Sequence, residues 1–337
     1  MESGLCNNSR LIIEIKKFTE TDVEFKELAR IDNLVNHDSI NHPDDDKREW
    51  GIRDKSLIKD RLLLYKDNLL IGAIYYSQGR DKNNRTTFFT LNINPEYNTK
   101  QSRELLYNGM LKKIKSFNSN KMLTSIYKHP NYSLVKQFLI DNQFKLVQTN
   151  REYSCDTTKI NLKKYQTLIK KLEEDGIKFY DSKEEMATNS QKFPDHFKKL
   201  EELEWTYAQD FPIPDGITHT RPPFKHWLKL CHDFYENYYG VDIIAVKDGK
   251  YIGSTDIEVL PKAEPHKGWT GGLGVLKEFR RRGIATAIKI KAIERLLKKG
   301  VTEIRTDNEE NNPMYKINVA LGFKAVPFSL EYMKELK

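Results

Sequence analysis

The chain repeats itself, and this limits the folds open to it more than any other feature. Residues 62–73 read LLLYKDNLLIGA and residues 243–254 read IIAVKDGKYIGS. Aligned without a gap, Lys66, Asp67 and Gly72 fall on Lys247, Asp248 and Gly253. Each segment is two apolar runs joined by a Lys-Asp-Asn/Gly turn, and such turn residues tolerate the positive φ of a tight hairpin. The neighbours extend the match. FFTLNINPEYNTKQSRELLYNGMLKKIKSF (88–117) follows the first hairpin and WTGGLGVLKEFRRRGIATAIKIKAIERLLKKG (269–300) follows the second. Each predicts a strand, a polar loop and an amphipathic helix. In the second copy Ile284, Ile288, Ile293, Leu296 and Leu297 recur at helical steps and mark one apolar face. Short strands follow at 122–128 and 303–308, then helices with closing apolar stretches at 131–147 and 311–326. Upstream, 12–31 and 177–203 each read as a strand leading into helix.

Strand and helix alternating in this order predict an α/β protein of two tandem domains, each a mixed central sheet flanked by helices. The 337 residues suit two cores at ~150 residues per domain. The expected domains are 1–155 and 177–337, bridged by a polar helical linker at 156–176. Cys6, Cys155 and Cys231 are far apart and show no CxxC or Cys/His spacing, which argues against a disulfide framework and against a metal site. No apolar run approaches the ~18 residues of a membrane span, and the start, MESGLCNNSR, lacks the order of a signal peptide. A cytoplasmic protein without a membrane partner is expected. The net charge of +8 comes with no nucleic-acid module signature, so it points to solvated lysine-rich faces and an anionic small ligand. No self-association seam stands out, and the oligomeric state is left open.

The strongest local signal is Val275-Leu-Lys-Glu-Phe-Arg280-Arg281-Arg282-Gly283-Ile284-Ala285-Thr286, between a strand and a helix start. Such a loop can aim successive backbone N–H groups at one anion, at the positive end of the helix dipole. Gly283 lets the backbone turn tightly, Ala285 keeps the first helical turn thin, and the arginines offer fork-shaped donors to phosphate oxygens.

Arg280-Arg-Arg-Gly283-Ile-Ala285 resembles the Q/R-x-x-G-x-G/A pyrophosphate motif of the GCN5-related N-acetyltransferase (GNAT) superfamily. Asn311-Asn-Pro-Met314-Tyr-Lys-Ile-Asn318-Val-Ala-Leu321-Gly-Phe323 resembles that family's last helix and closing strand. Region 177–326 fits throughout, and Trp269-Thr-Gly is typical of two-domain members. The resemblance implies a splayed strand pair that admits the pantetheine arm of acetyl-CoA. Backbone groups of Leu273, Gly274 and Val275 would line that opening, with the Val275 N–H polarising the thioester carbonyl. Arg280 to Thr286 would hold the pyrophosphate, and Asn311 and Asn318 would stand beside the arm. In the first half, Asn98 to Arg103 replace the loop and Leu139 falls opposite Asn318. The first copy therefore reads as a degenerate repeat that lost the cofactor loop.

Direct transfer needs a base for the incoming amine and an acid for the departing thiolate. Many family members use a tyrosine on the last helix as the acid. Asn318 stands in that slot, with Tyr315 one turn earlier as a substitute. Asp256 and Glu258 share one side of a strand and are candidate bases, ahead of His266 and Asp307; Thr270 sits where several relatives carry glutamate. Segment 205–227, rich in aromatics, prolines and acids, precedes the second hairpin, where in the resembled family the equivalent segment often forms the lip of the acceptor cleft. The resemblance thus implies Trp205, Tyr207, Asp210 and Phe211 near it, and an aromatic wall with a carboxylate suits a cationic amine. The expected activity is acetyl transfer from acetyl-CoA to the primary amine of a small molecule. A non-catalytic acyl-CoA-binding scaffold and a protein-modifying acetyltransferase stay open as alternatives.

Overall fold

The computed structural model describes residues 13–83, 85–128, 132–309, 312 and 314–336. The chain divides into two compact units, Met1–Lys145 with Tyr332–Lys337, and Leu146–Glu331.

The first unit runs β1 (Ile13–Lys17), α1 (Asp22–Val35), α2 (Pro43–Ile52), β2 (Lys59–Lys66), β3 (Leu69–Gln78), β4 (Thr86–Ile93), α3 (Lys100–Ile114), β5 (Lys121–Tyr127) and α4 (Tyr132–Asp141). Its strands lie in the order β1-β2-β3-β4-β5, antiparallel except for the parallel pair β4–β5. Thr21 and Glu24 form a capping box that starts α1, which then buries Phe25, Leu28 and Ile31 against Trp50, Leu63 and Ala73.

The second unit runs β6 (Lys145–Asp156), α5 (Gln166–Glu174), β7 (Ile177–Asp181), α6 (His196–Ala208), α7 (Phe224–Asn237), β8 (Val241–Lys247), β9 (Lys250–Val259), β10 (Lys267–Val275), α8 (Ile284–Lys298), β11 (Glu303–Glu309), α9 (Tyr315–Ala320), β12 (Lys324–Ala325) and β13 (Ser329–Glu335), whose last residues belong to the first unit. Its sheet has the order β6-β11-β10-β9-β8-β7. β8 shows why this sheet is covered on both faces. Val241, Ile243 and Ala245 pack with α8 and α5 in one core, and Ile244 and Val246 pack with α6 in another. Alternate side chains of one strand thus feed two layers, so the strand is apolar throughout.

The repeat expected from the sequence is visible in backbone detail. Asp67 and Asp248 both turn the hairpin at φ 48°.

The chain does not divide at residue 155 as expected. β6 pairs with β11 from Asn150↔Glu309 to Asp156↔Glu303, and its Tyr153 and Cys155 are buried in the second unit's core. The stretch expected as a linker is part of that core as well, through Ile169 and Leu172 of α5. In exchange, Tyr332–Lys337 joins the first unit, where the Leu336 N–H donates to Asn120 C=O at 2.7 Å. Closing strands of two copies of one fold have interchangeable patterns, so periodicity alone does not say which sheet each one closes.

Candidate active site

β10 is built to leave its neighbour. It pairs in parallel with β11 only at Lys267↔Glu303, Gly268↔Ile304 and Trp269↔Arg305, yet stays on β9 as far as Val275↔Gly253. Past Trp269 the two strands splay. The Leu276 N–H donates to Ile252 C=O at 2.9 Å. In an antiparallel ladder the residue before then directs its N–H and C=O to the opposite edge, so Val275 and Leu273 face the splay. The Val275 carbonyl is taken by Arg280 Nε at 2.8 Å, which leaves its N–H on that edge. Gly274 has no room for a side chain, because the Tyr207 ring lies where its Cβ would be.

The loop after β10 presents a concave backbone. Arg281 (φ 61°) and Gly283 (φ 85°) are left-handed and flank Arg282, and such alternation turns successive N–H groups toward one point. Gly283 is the N-cap of α8 and supplies no side-chain cap, so the first N–H groups of a 15-residue helix (Ile284, Ala285 and Thr286) are offered outward. The first copy differs at this position. Thr99 caps α3, its Oγ1 accepting from the Ser102 N–H at 3.1 Å, and Arg103 Nη1 donates to Asn98 Oδ1 at 2.6 Å. That helix start is filled by its own side chains.

The arginines divide their work. Arg280 ties Val275 C=O to the Asp210 carboxylate, which also pairs with Lys277 at 2.9 Å. Asp210 thus braces the loop after β10, and these cations hold its carboxyl below the usual range. Arg282 reaches Asp175 at 3.3 Å, and Arg281 is exposed.

Inside the splay lies a cavity of about 260 Å³, lined among others by Phe211, Thr270, Leu273, Thr306, Lys289 and Asn318. Asn318 is buried, and its Nδ2 donates to Asn308 Oδ1 at 2.7 Å. Its own Oδ1 accepts from Lys289 Nζ at 2.6 Å. Sequence reasoning missed Lys289. The available signal was a lysine on the inward stripe of α8, between Ala285 and Ile293. Asp307 lines the same cavity, whereas Tyr315 packs half-buried against the core and His266 gives its backbone carbonyl to Thr302 and Glu303. Asn311 lies outside the described residues.

On the α6 side of the sheet the carboxyls gather. Asp256 Oδ1 accepts from the Gly272 N–H at 2.7 Å, at the bulge just before Leu273, and burial pushes its carboxyl up to about 6. Burial, with Asp256 nearby, pushes Glu204 to about 8 while it accepts from Trp227 Nε1 at 2.8 Å. At neutral pH Asp256 is ionised and Glu204 protonated. Sequence reasoning did not single out Glu204. Glu258, two residues along β9, is exposed. Tyr207 is buried with its hydroxyl 3.1 Å from Ser254 Oγ, and its ring centroid is 5.6 Å from that of Phe211. Trp205, one turn of α6 from Glu201, stacks 5.9 Å from the Arg221 guanidinium.

Comparison with known proteins agrees with this geometry. Residues 198–322 match the model of the Acetyltransferase (GNAT) family. A search of curated proteins finds no sequence match. Among solved structures, a tandem GNAT protein from the clavulanic acid biosynthesis pathway superposes with a TM-score of 0.74 at 14% identity, covering 96% of this chain and 98% of that one. A GCN5-related glucosamine N-acetyltransferase region in a fungal multi-domain GH3 beta-N-acetylglucosaminidase gives 0.68 at 14% identity, over 96% of this chain and 38% of that one. A GCN5-related N-acetyltransferase from Sphaerobacter thermophilus gives 0.64 at 13%, over 96% and 95%. The splayed strands, the open helix start and the family match agree: residues 198–322 match the Acetyltransferase (GNAT) family, and the chain as a whole shares its fold with a tandem GNAT protein.

Proposed function

We propose that the protein is an N-acetyltransferase that moves the acetyl group of acetyl-CoA directly to a primary amine of a small molecule. The observation that carries this reading is the uncapped N-terminus of α8 beside left-handed Arg281 and Gly283, set against the filled one in the first copy. The backbone N–H groups of Ile284 to Thr286, with Arg281 and Arg282, would hold the pyrophosphate. The β11-side edge of Leu273 and Val275 would hold the pantetheine arm. When bound, acetyl-CoA supplies an activated thioester. The Val275 N–H would steady negative charge on its carbonyl oxygen. Asp256 takes the surplus proton from the amine, and protonated Glu204 near it keeps this buried pair from carrying two bare charges. The aromatic wall of Tyr207 and Phe211 suits a cationic amine.

The direct test is calorimetric titration with acetyl-CoA, followed by thiol release with a panel of amines. Glucosamine belongs in that panel, as the substrate class named for one structural neighbour. No saturable binding would end the proposal. Binding without turnover on any amine would favour the scaffold reading, to which the asparagine in the tyrosine slot lends weight.

Asp256 also makes a pH prediction. A base must be deprotonated to act, so kcat should rise with pH through about 6. Asp256→Asn should lower kcat by about 100-fold or more and remove that acidic limb. Stopped-time thiol assays between pH 5 and 8 read both effects.

A further inference from the structure

We propose that Lys289 donates the proton that the coenzyme A sulfur takes up as the acetyl group leaves, in place of the tyrosine that many family members carry at the Asn318 position; the proposal rests on the cofactor reading above. Lys289 is 1% exposed, in the middle of α8. Its ammonium reaches the cavity inside the splay and sits 2.6 Å from Asn318 Oδ1. Asn318 is fixed in turn by Asn308, so the lysine is held in one position rather than sampling many. The Phe323 ring lies 4.6 Å from Nζ and covers another side. Asparagine is much shorter than tyrosine. The volume that a phenol at 318 would take is reached here from the neighbouring helix.

A buried lysine without a carboxylate against it is a costly way to fill a core, and methionine would fill the same space more favourably. What the lysine adds is a movable proton. Burial brings its ammonium down to about 7, opposed by Cys155 on β6. The other groups facing it are Asn318 on α9 and Phe323. Thr306, Asp307 and Glu309 on β11, Glu331 on β13 and Asn150 on β6 line the same cavity. An alkyl thiol ordinarily titrates near about 8.5, so proton transfer from this ammonium to a thiolate runs downhill.

The step balances. As the amine nitrogen bonds to the acetyl carbon, the carbon–sulfur bond breaks and its electron pair stays on sulfur. The Lys289 ammonium gives one proton to that sulfur, leaving a free thiol and a neutral amine. The amine attacks in its neutral form, its surplus proton having passed through Asp256 to solvent, and Asp256 then takes the proton lost as nitrogen bonds carbon. Lys289 regains a proton, and Asp256 releases one, through solvent.

The test uses the full-length protein. Lysine labelled with ¹³C at Cε is titrated by NMR without any ligand, and Lys289 is identified by the signal missing from Lys289→Met. Its signal should titrate near neutral pH. Lys289→Met should bind acetyl-CoA within about twofold of wild type, lose about 100-fold in kcat, and lose the fall in rate above pH 7. Lys289→Met combined with Asn318→Tyr should recover at least tenfold of that loss. A Lys289 signal titrating near 10 overturns the proposal. So does a methionine variant with kcat within threefold, or one whose acetyl-CoA affinity falls along with its rate, which would make the lysine a binding or structural group. If wild-type protein binds no acetyl-CoA, the cofactor reading fails first, and the calorimetry shows it separately.

Discussion

Gly283→Trp should weaken acetyl-CoA binding by about 100-fold or more, roughly 2.8 kcal/mol. Two physical terms act together. At φ 85° any residue with a Cβ pays a backbone cost of roughly 1–2 kcal/mol. The added carbon would also meet the Leu168 side chain at 2.7 Å, so the loop must move. Either response turns the N–H groups of Ile284 to Thr286 away from the point they now share. Gly283→Ala separates the terms, since it keeps most of the backbone cost without the indole. Arg281→Ala leaves the backbone alone and removes an exposed charge, so a smaller loss of about fivefold is expected. Calorimetric titration of the three variants gives the ranking Trp, Ala, then Arg281→Ala. A tryptophan variant with wild-type affinity would mean that the pyrophosphate is not held there.

The second large effect concerns where the chain can be cut. A fragment of residues 177–337, the domain that the repeat suggests, should fail to fold, whereas one spanning 146–331 should stay compact. The shorter design removes β6, which pairs with every residue of β11, and leaves that strand as a bare edge prone to aggregation. It also removes Tyr153, Cys155, Ile169 and Leu172 from the core. Losing four such side chains costs roughly 6–10 kcal/mol, comparable to the whole stability of a domain. Urea unfolding followed by near-ultraviolet circular dichroism reads the difference. A cooperative transition in the 177–337 fragment would show that β6 is dispensable.

The parts legible in the sequence were those carried by local backbone chemistry. Lys-Asp-Asn/Gly turns demand left-handed residues, and Asp67 and Asp248 have them. Gly283 had to permit a positive φ, and it has one. Long-range placement was less legible. Asp210 pairs with Lys277 and Arg280, partners distant in sequence that no local pattern announces. Lys289 was hidden among the other lysines of a basic chain, and only the packing of α8 against α9 sets it apart. Glu204 gave no sign, because its protonation depends on burial beneath Trp227 and on Asp256 across the sheet.

The exchange of closing strands also bears on how the protein is made. The first unit comprises Met1–Lys145 and Tyr332–Lys337, so the second unit is inserted within it. During synthesis domains usually fold in the order they emerge. Here the N-terminal sheet receives the segment Tyr332–Lys337 only after the whole second unit has been synthesised. The half translated first is therefore the half completed last, and until then its β5 edge waits for a partner.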